Sequence, residues 1–166
     1  MYFTLASNII QLSQNVSEEK ANKMVTDALN SGKAYKKFLE MVKAQGGDIN
    51  LIENTDNFEK AKFTCPVKAS SSGYISEMDA EKIGISAMLL GAGRATKTDV
   101  IDYDAGILLV KKTGDHVEKG AVIARLFTTD SARFENAEKA FLGALTFGEC
   151  PAEPRPLIFG KIGGEE

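Results

Sequence analysis

The stretch "GILLVKKTGDHVEKGAVIARLFT", Gly106–Thr128, decides how this chain is read. "GILLVKK" and "AVIARLFT" are leucine-, isoleucine- and valine-rich runs of strand length. "TGDHVEKG" between them carries the glycines and charges of a tight turn, so strand, turn, strand is expected. On the N-terminal side, Asp79 is placed to cap a helix over "AEKIGISAMLLGAG". Ile83, Ala87 and Leu90 share one face of it, and Gly91 stands where a helix stops. Before that helix come two short strands, "AKFTCPVKA", β-like up to Pro66, and "GYISEM". On the C-terminal side, Thr129 or Asp130 can cap a last long helix with Ala137, Ala140, Phe141 and Ala144 on one stripe. The tail "CPAEPRPLIFGKI", Cys150–Ile162, is proline-rich and then apolar, and is expected to end as an edge strand. Strands interleaved with helices make residues 48–166 an α+β domain with flanking helices around a mixed or antiparallel sheet.

Residues 1–47 have a different texture. Ser17 is a candidate N-cap, and Glu18 and Glu19 suit the positive end of a helix dipole. Ala21, Met24, Val25, Ala28 and Leu29 then fall on one helical face, and Gly32 ends it. A second helix carries Tyr35, Phe38, Leu39 and Val42 and stops at Gly46 and Gly47. An earlier helix in "FTLASNIIQLSQ" is expected to turn Ile9 and Leu12 inward. So short a segment makes a poor core by itself. It is therefore assigned to a linker or to an upstream part of a longer protein, on which its apolar faces would pack.

The composition excludes several classes. The chain has 166 residues, 43% hydrophobic and 26% charged, with a net charge of −3, the profile of a soluble globular protein. Nothing in that charge argues for nucleic-acid binding, and no apolar run is long enough to span a membrane. The N-terminus has no basic flank and no cleavage-type ending, so it is not read as a signal peptide. Cys65 and Cys150 lie in no metal-like spacing and are expected to be reduced, buried thiols of a cytoplasmic protein.

The chemistry-bearing candidates are few. "GAGRATKT", Gly91–Thr98, looks like a phosphate cradle but lacks the spacing of a phosphate loop, and it follows a helix instead of opening one. Phosphate is held at helix N-termini, whereas a helix C-terminus presents carbonyls. Gly91 is then a helix stop and Gly93 a flexible turn, with Arg94 and Lys97 able to offer charge. His116, the one histidine, sits in a charged turn. Ser70–Ser72 precede Gly73 as a turn, not as a nucleophile elbow. Asp99, Asp102 and Asp104 alternate, but the glycine and closing glutamate of a calcium loop are absent. No residue is expected to be catalytic, to bind a cofactor or to hold a metal.

Three segments, "SGKAYKKFLEMVKAQGGD" (Ser31–Asp48), "PVKASSSGYISEMDAEKIG" (Pro66–Gly84) and "LLGAGRATKTDVIDYDAGILLVKKTGDHVEKG" (Leu89–Gly120), together resemble the C-terminal third of the pyrimidine-nucleoside phosphorylases, the thymidine phosphorylase family. The resemblance implies a homodimeric enzyme with its substrate cleft between a helical domain and a larger α/β domain. It also implies a pentosyltransferase reaction, in which a pyrimidine nucleoside and phosphate give the free base and a (deoxy)ribose 1-phosphate. The family's phosphate loop and base-holding residues lie in its N-terminal part and match nothing here. The chain is therefore expected to be a piece severed from its active site, partnered by a missing catalytic part of the same protein. Gly91, Gly93, Arg94 and Lys97 are expected to form a loop at the interdomain face. "TGDHVEKGAVIARL" is also similar to the hairpin of lipoyl and biotinyl carrier domains, which implies a barrel-sandwich-like fold. No Met-Lys-Met triplet is present, and Lys68, between Val67 and Ala69, is the nearest imitation. A prosthetic-group carrier and a stand-alone interaction module are the alternative readings.

Overall fold

The computed structural model describes residues 1–153 and 156–162. The chain divides into two compact units. One holds Met1–Phe58 with the tail from Pro156, and the other begins at Glu59 and runs up to that tail. The architecture is α+β as expected, with N-terminal helices followed by two small antiparallel sheets and their helices.

The first unit is built from α1 (Tyr2–Gln14), α2 (Glu18–Asn30), α3 (Lys33–Ala44) and the short α4 (Ile49–Glu53). Ser17 caps α2 as expected, its Oγ accepting the Lys20 N–H at 3.3 Å. Gly32, at φ 72°, breaks the chain between α2 and α3. Gly46 ends α3 at φ 80°, while the Gly46 and Gly47 N–H groups return to the Lys43 and Val42 carbonyls. Asp48 then caps α4, a helix the sequence did not announce. The inward faces are only partly those expected. Ala21 and Val25 are buried on α2, and Leu39 and Val42 are half-buried on α3, but Tyr35 and Phe38 are exposed. On α1 the expectation fails. Ile9 and Leu12 are 65% and 85% exposed, and the buried residue is Ser7. The contact of α1 with α2 runs through that side, where the Ser7 hydroxyl donates to Asn22 Oδ1 at 2.5 Å.

The second unit has two three-stranded antiparallel sheets. The strands are β1 (Phe63–Lys68), β2 (Gly73–Met78), β3 (Gly106–Leu109), β4 (His116–Val117), β5 (Val122–Thr128) and β6 (Leu145–Gly148), ordered β1-β5-β3 and β4-β2-β6. β1 runs through Pro66 without breaking, because it is an edge strand, where a missing N–H is tolerated. β3 and β5 pair as the opening stretch predicts, Leu108 opposite Arg125. The segment between them is not a tight turn. It crosses to the other sheet, where β4 pairs with β2, Val117 opposite Gly73, and then returns. Hydrogen bonds from Gly114 N–H to the Ile75 carbonyl and from Gly120 N–H to the Ala69 carbonyl fasten the two crossings.

Two helices complete this unit. α5 (Ala80–Ala87) is capped by Asp79, which accepts the Lys82 N–H at 3.1 Å. Asp130 caps a 3-10 turn, Ser131–Arg133, that leads into α6 (Phe134–Leu142). That helix is shorter than expected; Ala137 and Phe141 are buried on it, and the buried Ala144 lies beyond its end. Val67, Ile75, Leu90, Val117, Ile123, Leu126 and Phe141 form one core between sheets and helices. The edge strand expected in the tail is corrected: the described tail residues 150–153 and 156–162 carry none, and the last strand is β6, at the edge of its sheet just before the prolines. Proline lacks the ladder N–H, and Pro151, Pro154 and Pro156 precede the apolar part of the tail.

Candidate functional site

The loop that follows α5 gathers the site residues predicted from sequence. After Ala87 the helix widens into a π-type turn, Met88–Ala92, and breaks inside it at Gly91. Gly91 is buried at φ 110°, a conformation that L side chains rarely adopt. An added Cβ there would fall on the Arg133 guanidinium and lie 3.1 Å from Asp102 Cβ. Gly93 is different. Its φ of −146° and ψ of 175° are extended backbone open to any residue, so the loop has one obligatory glycine, not the flexible pair suggested by the sequence.

Two aspartates staple the loop. At its base, the Asp102 N–H donates to the Gly91 carbonyl at 2.9 Å. Asp102 Oδ2 accepts the Thr129 N–H at 3.0 Å and the Thr129 hydroxyl at 2.6 Å, and Oδ1 accepts the Asp104 N–H at 3.0 Å. Thr128, fully buried, donates its hydroxyl to the Leu90 carbonyl at 2.9 Å. At the tip, Asp99 Oδ2 accepts the Ala95 and Thr96 N–H groups at 3.0 and 2.8 Å, and Oδ1 accepts the Thr96 hydroxyl at 2.6 Å. These bonds favour the charged carboxylates. The Thr129 hydroxyl first, and then the Thr129 and Asp104 amides, hold the Asp102 carboxyl below its ordinary range; the Thr96 hydroxyl first does the same for Asp99. The alternation that faintly suggested a calcium loop is therefore a set of acceptors for backbone and hydroxyl donors. Among the described residues no cluster of His, Cys, Asp or Glu could hold a metal.

Arg94 and Lys97 project from the stapled loop, exposed and with no ion pair among the described residues. The loop borders a concavity of about 400 Å³ lined by Met88, Leu89, Gly93, Ala95, Asp99, Val100 and Arg133. Sequence reasoning missed Arg133. It packs over Gly91 and its Nε lies 3.6 Å from Asp130 Oδ2. The one available signal was the three-residue spacing from Asp130 to Arg133, which puts both on the same side of one turn. A second, more apolar groove of about 520 Å³ lies between α5 and α6, lined by Lys82, Ile85, Leu89, Asn136, Lys139, Ala140 and Gly143.

The other candidates stay apart from this loop. His116 stands edge-on to Tyr74, ring centroids 4.9 Å apart, with Nδ1 3.8 Å from Glu118 Oε1. Ser72 donates to Glu118 Oε2 at 3.0 Å and accepts the Lys119 N–H at 2.8 Å, which closes a turn. Lys68 is exposed at the end of β1, between the buried Val67 and Ala69. Cys65 and Cys150 are free thiols, but neither is buried as expected: Cys65 is half-buried, because β1 is an edge strand, and Cys150, beyond the last strand, is exposed; partial burial first, and the Glu138 charge second, push Cys65 above its usual range. Among the described helices none is long and apolar enough to cross a membrane.

Residues 74–148 match the family described as "Pyrimidine nucleoside phosphorylase C-terminal domain". The chain is 43% identical over 129 residues to the pyrimidine-nucleoside phosphorylase of Staphylococcus epidermidis, which covers 77% of this chain and 30% of that protein. It is 39% identical over 163 residues to the thymidine phosphorylase of Metamycoplasma hominis, covering 96% of this chain and 58% of the relative. It is 32% identical over 159 residues to the pyrimidine-nucleoside phosphorylase of Geobacillus stearothermophilus, covering 95% of this chain and 36% of the relative. The chain thus spans between 30% and 58% of the length of these curated relatives.

Proposed function

We propose that this chain, whose residues 74–148 match the pyrimidine nucleoside phosphorylase C-terminal domain and which is homologous to the C-terminal region of those enzymes, serves as the C-terminal part of such a phosphorylase. The complete enzyme then splits a pyrimidine nucleoside with inorganic phosphate into the free base and a (deoxy)ribose 1-phosphate. The single observation that carries this reading is the 43% identity sustained over 129 residues.

The chain's own residues support a supporting role. Phosphorolysis needs donors that hold phosphate against the anomeric carbon and draw charge onto the base. In the candidate loop the Ala95, Thr96 and Thr129 amides already serve Asp99 and Asp102, and the helix end beside them presents carbonyls. Catalysis is assigned to the missing catalytic part of the same protein, in a homodimeric cytoplasmic enzyme, and the isolated chain is inactive. The Gly91–Lys97 loop is assigned to the face that meets that part. Its stapled base and tip present Arg94 and Lys97 as a fixed pair of cations.

Two assays test this. The purified chain is mixed with uridine or thymidine and phosphate, and base release is followed. Silence from a folded chain supports the reading, and phosphate-dependent release that disappears on mutating this chain overturns the assigned inactivity. In the second, the matched 129 residues of the Staphylococcus epidermidis enzyme are replaced by those of this chain. Phosphorolysis should persist, and Arg94→Ala in that hybrid should lower kcat/KM severalfold with an unchanged Tm. A folded hybrid without activity would remove the premise.

A further inference from the structure

The tip of the candidate loop is closed on itself. Among the described residues, every hydrogen bond made by Ala95–Asp99 ends within that turn. Those bonds give the turn its shape and leave its placement on the domain open. The base is fastened separately, at Gly91 and Asp102. Between the two runs the extended backbone of Gly93, and Arg94 follows it. Of the residues that line the concavity beside the loop, Arg133 alone comes from outside Met88–Val100. It stands on the turn that enters α6, with Asp130 Oδ2 3.6 Å from its Nε. A Cβ at Gly91 would lie 3.4 Å from Arg133 Cζ, so the guanidinium rests against the base of the loop, in room that only glycine leaves. Its charge also reaches the tip. The Thr96 hydroxyl first, then the Thr96 and Ala95 amides, and then the Arg133 charge hold the Asp99 carboxyl low. One guanidinium thus links an anchor at Asp130, the base and the tip.

We propose that Arg133 is a positioning residue, which fixes the pose in which the Gly91–Lys97 loop presents Arg94 and Lys97. This role rests on the reading of that loop as the face that meets the catalytic part. A cation on a turn free to swing is spread over many poses, and ordering it on contact costs free energy. A turn held from outside presents the charge already aimed. Arginine suits the task because its planar fork carries donors in several directions at once, whereas a lysine ammonium is a single point of charge. Arg133 spends its own charge on Asp130 and Asp99, so its effect passes through Arg94 and Lys97. Its loss therefore matters only while those two cations are present, which is the mark of residues acting as a unit.

Two measurements test this. In the purified full chain, NMR order parameters of the Arg94–Lys97 amides should fall from about 0.85 towards about 0.6 on Arg133→Ala, while those of α6 hold. Arg133→Lys, which keeps the charge and loses the fork, should fall nearly as far. The second measurement uses the Geobacillus stearothermophilus enzyme with its matched 159 residues replaced by those of this chain. There Arg133→Ala should lower kcat/KM severalfold with Tm nearly unchanged. In the Arg94→Ala/Lys97→Ala background the same substitution should cost no more than about twofold. Equal losses in both backgrounds would mean that Arg133 acts on its own and would overturn the inference, as would order parameters that do not change. A hybrid that is folded but inactive with Arg133 in place overturns the functional reading, and this role with it. An active hybrid indifferent to Arg133→Ala overturns this role alone.

Discussion

Gly91 stands at φ 110°, its carbonyl accepting the Asp102 N–H and the Arg133 side chain lying where a Cβ would go. Gly91→Ala should therefore cost about 1–3 kcal/mol, from a strained backbone together with a displaced guanidinium, and a denaturant titration would measure it. Gly93→Ala, in extended backbone with Met88 3.4 Å from the added methyl, should change stability far less. The two stapling aspartates set an acid limit. Both carboxyls are held below their ordinary range by hydroxyl and amide donors, so their contribution is complete above the usual aspartate pKa. It is lost only as pH falls through the lowered values of the folded state. The protection of the Thr96 and Thr129 amides, taken relative to intrinsic exchange at each pH, should hold down to the aspartate range and fall below it. Protection already lost near neutral pH would show that the carboxylates do not hold the loop.

The two helices of the second unit differ in how they meet the core. α6 delivers Phe141, fully buried, to the centre of the cluster. α5 is tied to it by the buried Ser86 hydroxyl, which donates to the Ala137 carbonyl at 2.7 Å. Phe141→Ala should cost about 3–5 kcal/mol through the cavity it leaves, read as a fall in Tm. Which elements were legible follows from the range of the forces that make them. Ser17, Asp79 and Asp130 cap the helix starts through bonds two or three residues away, so the sequence shows them directly. β6 was invisible, because its existence depends on Tyr74 meeting Gly148 and Ile75 meeting Phe147, far off in the chain. The crossing through β4 was mistaken for a turn for the same reason. On α1 the sequence shows that Ile9 and Leu12 need cover, but not that the unit itself withholds it. In the candidate loop, Gly91 was legible from its type, while Arg133 and the two staples required the fold.

The two units differ in what they bury. Among the described residues, the first buries Ser7, Ala21 and Val25, whereas the second has the whole continuous core cluster. Stability follows buried apolar area, so in urea the helices of the first unit should open before the sheets of the second. Hydrogen exchange resolved by peptide should show α1–α3 exchanging well before β1 and β5; equal protection in both would contradict this. The strand order β1-β5-β3 also sets the tempo of assembly. Phe63 must wait for Thr128, and β5, the central strand, is the last of its sheet to leave the ribosome. β1 then spends much of synthesis as an unpaired edge, closed only by a contact of high sequence separation, the kind that slows folding and leaves nascent chains sticky. For this molecule the hazardous interval is translation itself, between the emergence of Phe63 and that of Thr128.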